Sequence, residues 1–243
     1  MSSSGVLVVE HEAQCPPGWM GEWLAEAGVV LDVRRPYAGD RLPEDLTGHS
    51  GMLVLGGSMD AYADERHPWL TEVKALVRRA ADTHVPTLGI CLGHQLVAVA
   101  LGGAVHKNPR GQQIGVLDVG WTEAAADDAL LGPLTQARVA VQWNNDVVNV
   151  VPPDAVVLAR TPADEVQAVR YAPTVWGVQS HPEAGEEIVR SWADSDRDEA
   201  VERGVDVDEY VARVAAAREE LRSAWRPLAT GFAALTMDAV ATW

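Results

Sequence analysis

A cysteine stands between two glycines in the segment GICLG at residues 89–93. The pattern Gly-x-nucleophile-x-Gly is typical of the sharp strand-to-helix turn that lifts a nucleophile above a sheet. Small neighbours tolerate the strained backbone of such a turn, and the N-terminus of the following helix favours a thiolate. Cys91 is therefore a candidate nucleophile, and the amide of Leu92 would face the negative charge that develops in a reaction. The alternative interpretation is a buried structural cysteine.

A thiol nucleophile needs a base, and His181 is the best placed of the seven histidines. It follows the strand-like segment TVWGVQS, and ligands of α/β proteins bind at the rim beyond strand ends. Glu183, two residues later, can hold the imidazole through its second nitrogen. His94, three residues into the predicted helix after Cys91, is expected to pack or to line a pocket.

These residues must be positioned by an alternation of short β-branched runs and amphipathic helical patterns. Four strands are predicted in the first part of the chain, at residues 6–10, 29–35, 51–57 and 85–90. They are mostly apolar on both faces, which indicates an α/β fold with a central, mostly parallel sheet flanked by helices. Closer-spaced strands are predicted at 115–119, 138–142, 155–159, 166–171 and 174–179. Their spacing favours a small antiparallel extension.

The composition predicts a single domain over residues 1–243, with its core in residues 6–183. Residues 183–209 hold 11 acidic and 3 basic side chains. We expect an acidic loop there, followed by C-terminal helices that pack on the domain. Pro227 is expected to end or kink the last helix. A partner-binding tail is the alternative for this segment.

Charge and composition exclude several classes of function. The net charge of −16 repels phosphate backbones, so no nucleic-acid partner is expected. The chain has two cysteines, no apolar run of about 18 residues and no signal-peptide pattern, which predicts a cytoplasmic protein that does not bind membranes. No His/Cys cluster has metal-ligand spacing, and GSMDAY lacks the Lys-Ser/Thr of a phosphate loop, so neither a metal nor a cofactor is predicted.

Three motifs in the order LVLGGSMDAY, GICLGHQ and GVQSHPE together resemble those of the class I, triad-type glutamine amidotransferases. The chain is most similar to the stand-alone group related to the amidotransferase domain of GMP synthase, and the likeness covers residues 6–183. The resemblance implies that Cys91 is the nucleophile, His181 the base and Glu183 its orienting acid.

The resemblance also assigns roles around the triad. It implies an oxyanion hole formed by the backbone amides of Gly57 and Leu92. It implies that Gln95 helps to hold the amino-acid end of the substrate. Cys15 is expected to be a surface or half-buried thiol without a catalytic role, since nothing near it in the sequence would activate it.

The chain departs from the family pattern at two positions outside the triad. Family members usually carry His-x-Asp after a tryptophan, whereas this chain has Asn144 and Asp146 in QWNND, and Gln113 stands where a glutamate is common. If Asn144 and Asp146 line the amino-acid end of the pocket, as the resemblance implies, a neutral amide should weaken the grip on free glutamine.

The function that the resemblance implies is hydrolysis of the glutamine side-chain amide through a cysteinyl thioester, which releases glutamate and ammonia. A separate synthase subunit would accept the ammonia, or the enzyme would be a free-standing hydrolase. One alternative is a γ-glutamyl hydrolase that acts on a γ-glutamyl peptide or amine with the same triad. Another is a non-catalytic regulatory subunit, against which the intact Cys91, His181 and Glu183 argue.

Overall fold

The computed structural model of the protein describes residues 5–195, 197 and 206–241. Its strands in chain order are β1 (Gly5–Val9), β2 (Leu31–Arg34), β3 (His49–Val54), β4 (Thr87–Ile90), β5 (Ala104–Lys107), β6 (Gln113–Asp118), β7 (Val139–Asn144), β8 (Asp146–Val150), β9 (Val156–Arg160), β10 (Val166–Ala172) and β11 (Val175–Val178). Its α-helices are α1 (Gly18–Glu26), α2 (Trp69–Thr83), α3 (Leu92–Ala100), α4 (Glu186–Ser195), α5 (Val207–Ala216) and α6 (Arg218–Ala241).

The central sheet has seven strands in the order β2-β1-β3-β4-β11-β10-β9. The pairs from β2 to β11 are parallel, and β11-β10 and β10-β9 are antiparallel. This confirms the predicted α/β class, with its mostly parallel sheet and antiparallel extension. Two small antiparallel pairs, β5-β8 and β6-β7, lie outside the central sheet. Neither β5 nor β8 was predicted.

Helices cover both faces of the sheet, and the side chains of β1 show why the strands are apolar throughout. Val6 and Val8 belong to one buried cluster, and Leu7 and Val9 belong to a second cluster on the opposite face. Successive side chains of a strand point to opposite faces, so a strand that is buried on both faces cannot alternate with polar residues. None of the described helices combines the length and apolarity that crossing a bilayer requires.

The predicted acidic loop is partly helical. Residues 186–195 form α4, where Val189, Trp192 and Ala193 are buried. These positions are three and four residues apart and therefore share one face, while Glu186 and Glu187 occupy the first turn, where negative charge is favourable. Residues 196 and 198–205 of that stretch lie outside the described part of the chain.

The last helix, α6, continues through Pro227 to Ala241 rather than ending at the proline. A proline inside a helix removes one hydrogen bond and crowds the preceding turn, at a cost of about 3 kcal/mol. Burial of Trp225, Leu228 and Phe232 in the core offsets this cost. At the surface, the guanidinium of Arg222 lies 5.1 Å from the ring centroid of Trp19 on α1.

Candidate active site

Cys91 lies at the turn between β4 and α3, with φ 50° and ψ −107°, a backbone conformation that L-residues adopt rarely. Its backbone N–H donates to the carbonyl of Val178 at the end of β11, at 2.9 Å. The flanking glycine Gly93 is needed because a Cβ there would collide with the carbonyl oxygen of Val54 on β3. The predicted strand-helix elbow is therefore present, and it places the thiol at the carboxyl edge of the parallel strands.

His181 and Glu183 form a buried pair beside this elbow. Nδ1 of His181 lies 2.7 Å from Oε1 of Glu183, and the two side chains are 3% and 1% exposed. The backbone holds both residues: His181 N–H donates to the carbonyl of Val141 on β7, and the carbonyl of Glu183 accepts from the N–H of Trp19 on α1. Because the short contact occupies Nδ1, the imidazole presents Nε2 for proton transfer. Nε2 is buried, and no described residue forms a hydrogen bond with it.

Opposing influences act on the charge of the imidazole. Burial alone lowers the pKa of His181, but the Cys91 sulfur and the Glu183 carboxylate raise it more, and the net pKa lies well above its ordinary value. An imidazole that is stabilised as a cation next to a thiol favours the thiolate–imidazolium pair. This is the ionisation state in which a cysteine attacks and a histidine can protonate a leaving group.

The amides of Gly57 and Leu92 lie where two chain segments meet beside the elbow. A Cβ on Gly57 would be 2.9 Å from Cδ2 of Leu92. Leu92 is the first residue of α3, so its N–H has no acceptor within the helix. The carboxylate of Glu12 anchors the Gly57 loop, because it accepts hydrogen bonds from the N–H of Ser58 at 2.9 Å and from its hydroxyl at 2.7 Å.

A cavity of about 750 Å³ opens over these groups. Most of the predicted site residues line it: Gly57, Cys91, Gln95, Asn144, Asp146 and His181. Several lining residues have no predicted role, namely Glu12, Cys15, Met59, Arg66, Lys107, Trp143, Trp192 and Ser195. The carboxylate of Glu183 lies behind His181 rather than in the lining.

Trp192 on α4 supports the imidazole and was missed by the sequence analysis. Its ring centroid lies 4.6 Å from that of His181, with the planes tilted by 56°. Its indole N–H donates to the carbonyl of Gln14 at 2.8 Å, which ties α4 to the loop before α1. The apolar spacing of Val189, Trp192 and Ala193 was the available signal, but it lay inside the stretch that was interpreted as an acidic loop.

Cys15 is buried, so the expected surface or half-buried position is wrong. The loop before α1 folds inward under α4, and Cys15 lines the same cavity as Cys91. Its thiol donates to Oε1 of Glu12 at 3.3 Å. Burial, followed by the negative charge of Glu12, raises the pKa of the Cys15 thiol far above its ordinary value. A thiol that stays protonated is a poor nucleophile.

Gln95, Asn144 and Asp146 meet at one backbone carbonyl. The oxygen of Asp146 accepts from Nε2 of Gln95 at 3.0 Å and from Nδ2 of Asn144 at 3.2 Å. Nδ2 of Asn144 also donates to Oε1 of Gln113 at 3.1 Å. The amide oxygen of Asn144 is buried without a hydrogen bond from the described residues. The Asn144 side chain thus forms part of the cavity wall, with its nitrogen committed to the protein.

Two further residues complete the electrostatic description. Burial, and after it the charge of Asp60, raises the pKa of Asp146, while Lys107 opposes the shift. His94 is buried under the sheet, where its Nδ1 lies 3.3 Å from the hydroxyl of Tyr171, and burial lowers the pKa of His94 to about 3. His94 therefore packs as a neutral ring, as expected. Within the described ranges, no three His, Cys, Asp or Glu side chains are grouped so that they could hold a metal ion.

An α/β sheet with a cysteine at a strand-helix elbow, next to a hydrogen-bonded imidazole–carboxylate pair, is an arrangement that thiol-dependent hydrolases use for acyl transfer. The comparison with known proteins identifies the class more closely. The model of the family "Glutamine amidotransferase class-I" matches residues 22–188, and the chain belongs to this family. The resemblance inferred from the three motifs is thereby confirmed.

Among curated proteins, the chain is 29% identical over 187 residues to the glutamine amidotransferase-like protein YfeJ of Salmonella typhimurium, covering 76% of this chain and 77% of YfeJ. It is 33% identical to the glutamine-hydrolyzing GMP synthase of Aeropyrum pernix, over 79% of this chain but only 36% of the synthase. It is 28% identical to gamma-glutamyl peptidase 5 of Arabidopsis thaliana, over 68% of this chain and 66% of the peptidase.

Among solved structures, a glutamine amidotransferase from Thermotoga maritima superposes with a TM-score of 0.84 at 24% identity, covering 96% of this chain and 99% of that chain. At this identity the likeness supports the fold alone. The fold, the elbow and the family are thus shown, whereas the substrate must be argued from the site.

Proposed function

We propose that the protein hydrolyses the side-chain amide of glutamine through a thioester on Cys91. The observation that carries the proposal is the elbow cysteine in a cavity that it shares with His181, whose imidazole is held by Glu183 at 2.7 Å. Family membership supports the reaction class, and the buried pair supports the roles of the three residues. We assign Cys91 as the nucleophile, His181 as the acid and base, and Glu183 as the group that orients the imidazole.

The proposed reaction has two halves. In the first, the Cys91 sulfur bonds to the amide carbon, and the oxyanion is stabilised by the amides of Gly57 and Leu92, each worth about 3–4 kcal/mol. The carbon–nitrogen bond then breaks, and ammonia leaves with a proton from His181. In the second half, His181 takes a proton from water, the hydroxide attacks the thioester carbon, and glutamate and the free thiol result.

We further propose that a separate synthase accepts the ammonia. The chain matches 36% of the Aeropyrum pernix GMP synthase, so most of that enzyme has no counterpart in the aligned region. A separate subunit would supply the acceptor site that the matched part lacks. The amino-acid end of glutamine would lie near Gln95, Asn144 and Asp146 in this arrangement.

A γ-glutamyl hydrolase is the second candidate, and the size of the cavity favours it. A volume of about 750 Å³ lies in the range of about 300–1,000 Å³ that is typical of pockets for ligands much larger than an amino acid. The similarity to gamma-glutamyl peptidase 5 supports the same substrate class. The nitrogen of Asn144 is committed to Gln113 and Asp146, which leaves less polar grip for free glutamine.

The test is a comparison of substrates on the isolated protein. Ammonia and glutamate release would be measured with glutamine, with and without candidate synthases, and amine release would be measured with γ-glutamyl peptides and amines. Acid quenching followed by mass spectrometry would detect the acyl group on Cys91, with Cys91→Ser as the control. Turnover of glutamine alone supports the first candidate, and turnover of larger γ-glutamyl compounds supports the second. An absence of turnover and of acylation under all conditions would overturn both and favour the non-catalytic alternative.

A further inference from the structure

The side chain of Gln179 contacts the sulfur of Cys91 from inside the protein. Gln179 directly follows β11 and is 0% exposed. Its Nε2 donates to Sγ of Cys91 at 3.6 Å, and its backbone N–H donates to the carbonyl of Gln167 on β10 at 2.8 Å. The amide is therefore held against the reacting atom by the sheet itself.

A chain of hydrogen bonds fixes which end of this amide faces the sulfur. The backbone oxygen of Asp146 can only accept, so Gln95 must present its Nε2 to it at 3.0 Å. The second hydrogen of the same Nε2 points to Oε1 of Gln179, at 3.4 Å. With its oxygen engaged in this way, Gln179 must present its nitrogen to Cys91. Each step follows from the donor and acceptor chemistry of the groups.

We infer that Gln179 stabilises the thiolate of Cys91 by donating a hydrogen bond to it, and that Gln95 acts through Gln179 as a positioning residue. A donor that is fixed in a dry site stabilises developing or resting negative charge more than a mobile water does. The inference deepens the proposed function and rests on Cys91 being the nucleophile. It adds a neutral amide to the groups that keep the sulfur ionised beside the His181 imidazolium.

The experiment measures ionisation of Cys91 directly, without requiring turnover. The rate of iodoacetamide alkylation at Cys91 would be followed from acid to alkaline pH by peptide mass spectrometry, because the thiolate is the species that reacts. A hydrogen bond to a charged group corresponds to roughly a tenfold to hundredfold change in the ionisation equilibrium. In Gln179→Leu the midpoint of the alkylation profile should move up by about one to two pH units.

Further variants keep the test informative if the leucine variant folds poorly. Gln179→Glu is nearly isosteric and places an oxygen where the donor was, so its midpoint should move at least as far upward. Gln95→Leu frees Oε1 of Gln179 and should produce a smaller upward shift. Gln142→Leu is the matched control, because Gln142 is a buried glutamine that donates to Gln167 rather than to Cys91, and its midpoint should stay at the wild-type value.

The possible results separate this inference from the proposed function. An unchanged midpoint in folded Gln179→Leu or Gln179→Glu would overturn the inference, even if glutamine is hydrolysed. An upward shift in both variants supports it, even if no γ-glutamyl compound is turned over and the proposed function fails. An equal shift in Gln142→Leu would show a general effect of lost buried amides and would also overturn the inference.

Discussion

Replacing Glu183 with glutamine removes one charge from the site and preserves its shape. The contact between Nδ1 of His181 and Oε1 of Glu183 is 2.7 Å long and buried. A glutamine oxygen can still accept from Nδ1, so the imidazole keeps its tautomer and position. What is lost is the charge that stabilises the imidazolium during proton transfer.

The magnitude follows from the nature of this contact. Hydrogen bonds to charged groups contribute about 1.5–3 kcal/mol, and each 1.36 kcal/mol of transition-state stabilisation changes the rate tenfold. We therefore expect Glu183→Gln to lower kcat/KM by roughly 10- to 150-fold. His181→Ala should lower it further, because that change removes the proton transfer itself, which contributes about 10²–10⁴-fold.

The pH profile provides a second readout with a defined sign. The charges of Cys91 and Glu183 raise the pKa of His181 against the effect of burial. Without the Glu183 charge, this pKa falls, the imidazolium is lost at lower pH, and the alkaline limb of the kcat/KM profile moves down in pH. Glu187→Gln, the same change on an exposed part of α4, should leave both rate and profile unchanged. A larger loss than in His181→Ala, or an unmoved alkaline limb, would refute the assigned roles.

Three other outcomes are expected. Cys91→Ser should abolish hydrolysis while circular dichroism stays native, and Cys15→Ser should retain activity because a hydroxyl can still donate to the neighbouring carboxylate; the opposite pattern in the ammonia assay would contradict the nucleophile assignment. Trp192→Ala should lower stability by about 3–5 kcal/mol in urea unfolding and reduce kcat, whereas Trp192→Phe should retain most activity; equal effects of the two would argue against ring packing on the imidazole. A double-mutant cycle of Asn144→Ala and Gln113→Ala should show a coupling energy of roughly 1 kcal/mol in unfolding, and strictly additive effects would contradict their hydrogen bond.

The elbow could be predicted from sequence because its determinants are local. Gly-Ile-Cys-Leu-Gly contains the strand end, the strained residue and the helix start within five positions, and the glycine is required by contacts with the neighbouring strand. The pairing of His181 with Glu183 is also local, since two residues separate them in sequence. Short-range patterns of this kind carry their own geometry.

The cavity wall opposite the elbow could not be predicted in the same way. The pairing of β5 with β8 joins segments that are about forty residues apart, and both strands are too short for a periodic pattern to stand out. Trp192 reaches His181 only because α4 packs back over the loop that holds Gln14. Burial of Cys15 follows from the same packing. These placements depend on tertiary contacts that no local pattern records.

The two departures from the family pattern, Gln113 and Asn144, behave in the structure as one feature. Nε2 of Gln113 donates to Oε2 of Glu165 at 2.7 Å, and its Oε1 accepts from Asn144 at 3.1 Å. Glu165 also accepts from Nδ2 of Asn108 at 2.8 Å, so its carboxylate is already the acceptor of this cluster.

A glutamate at position 113 would therefore bring two carboxylates into hydrogen-bond contact, and one of them would have to take up a proton or move away. With glutamine there, the nitrogen satisfies Glu165 and the oxygen remains to accept from position 144. That position must then supply a neutral donor, which the amide of Asn144 does while also donating to the carbonyl of Asp146. The choice of Asn144 is thus dictated by Glu165 through Gln113, and the changed wall of the cavity is a consequence of this network rather than of an isolated substitution.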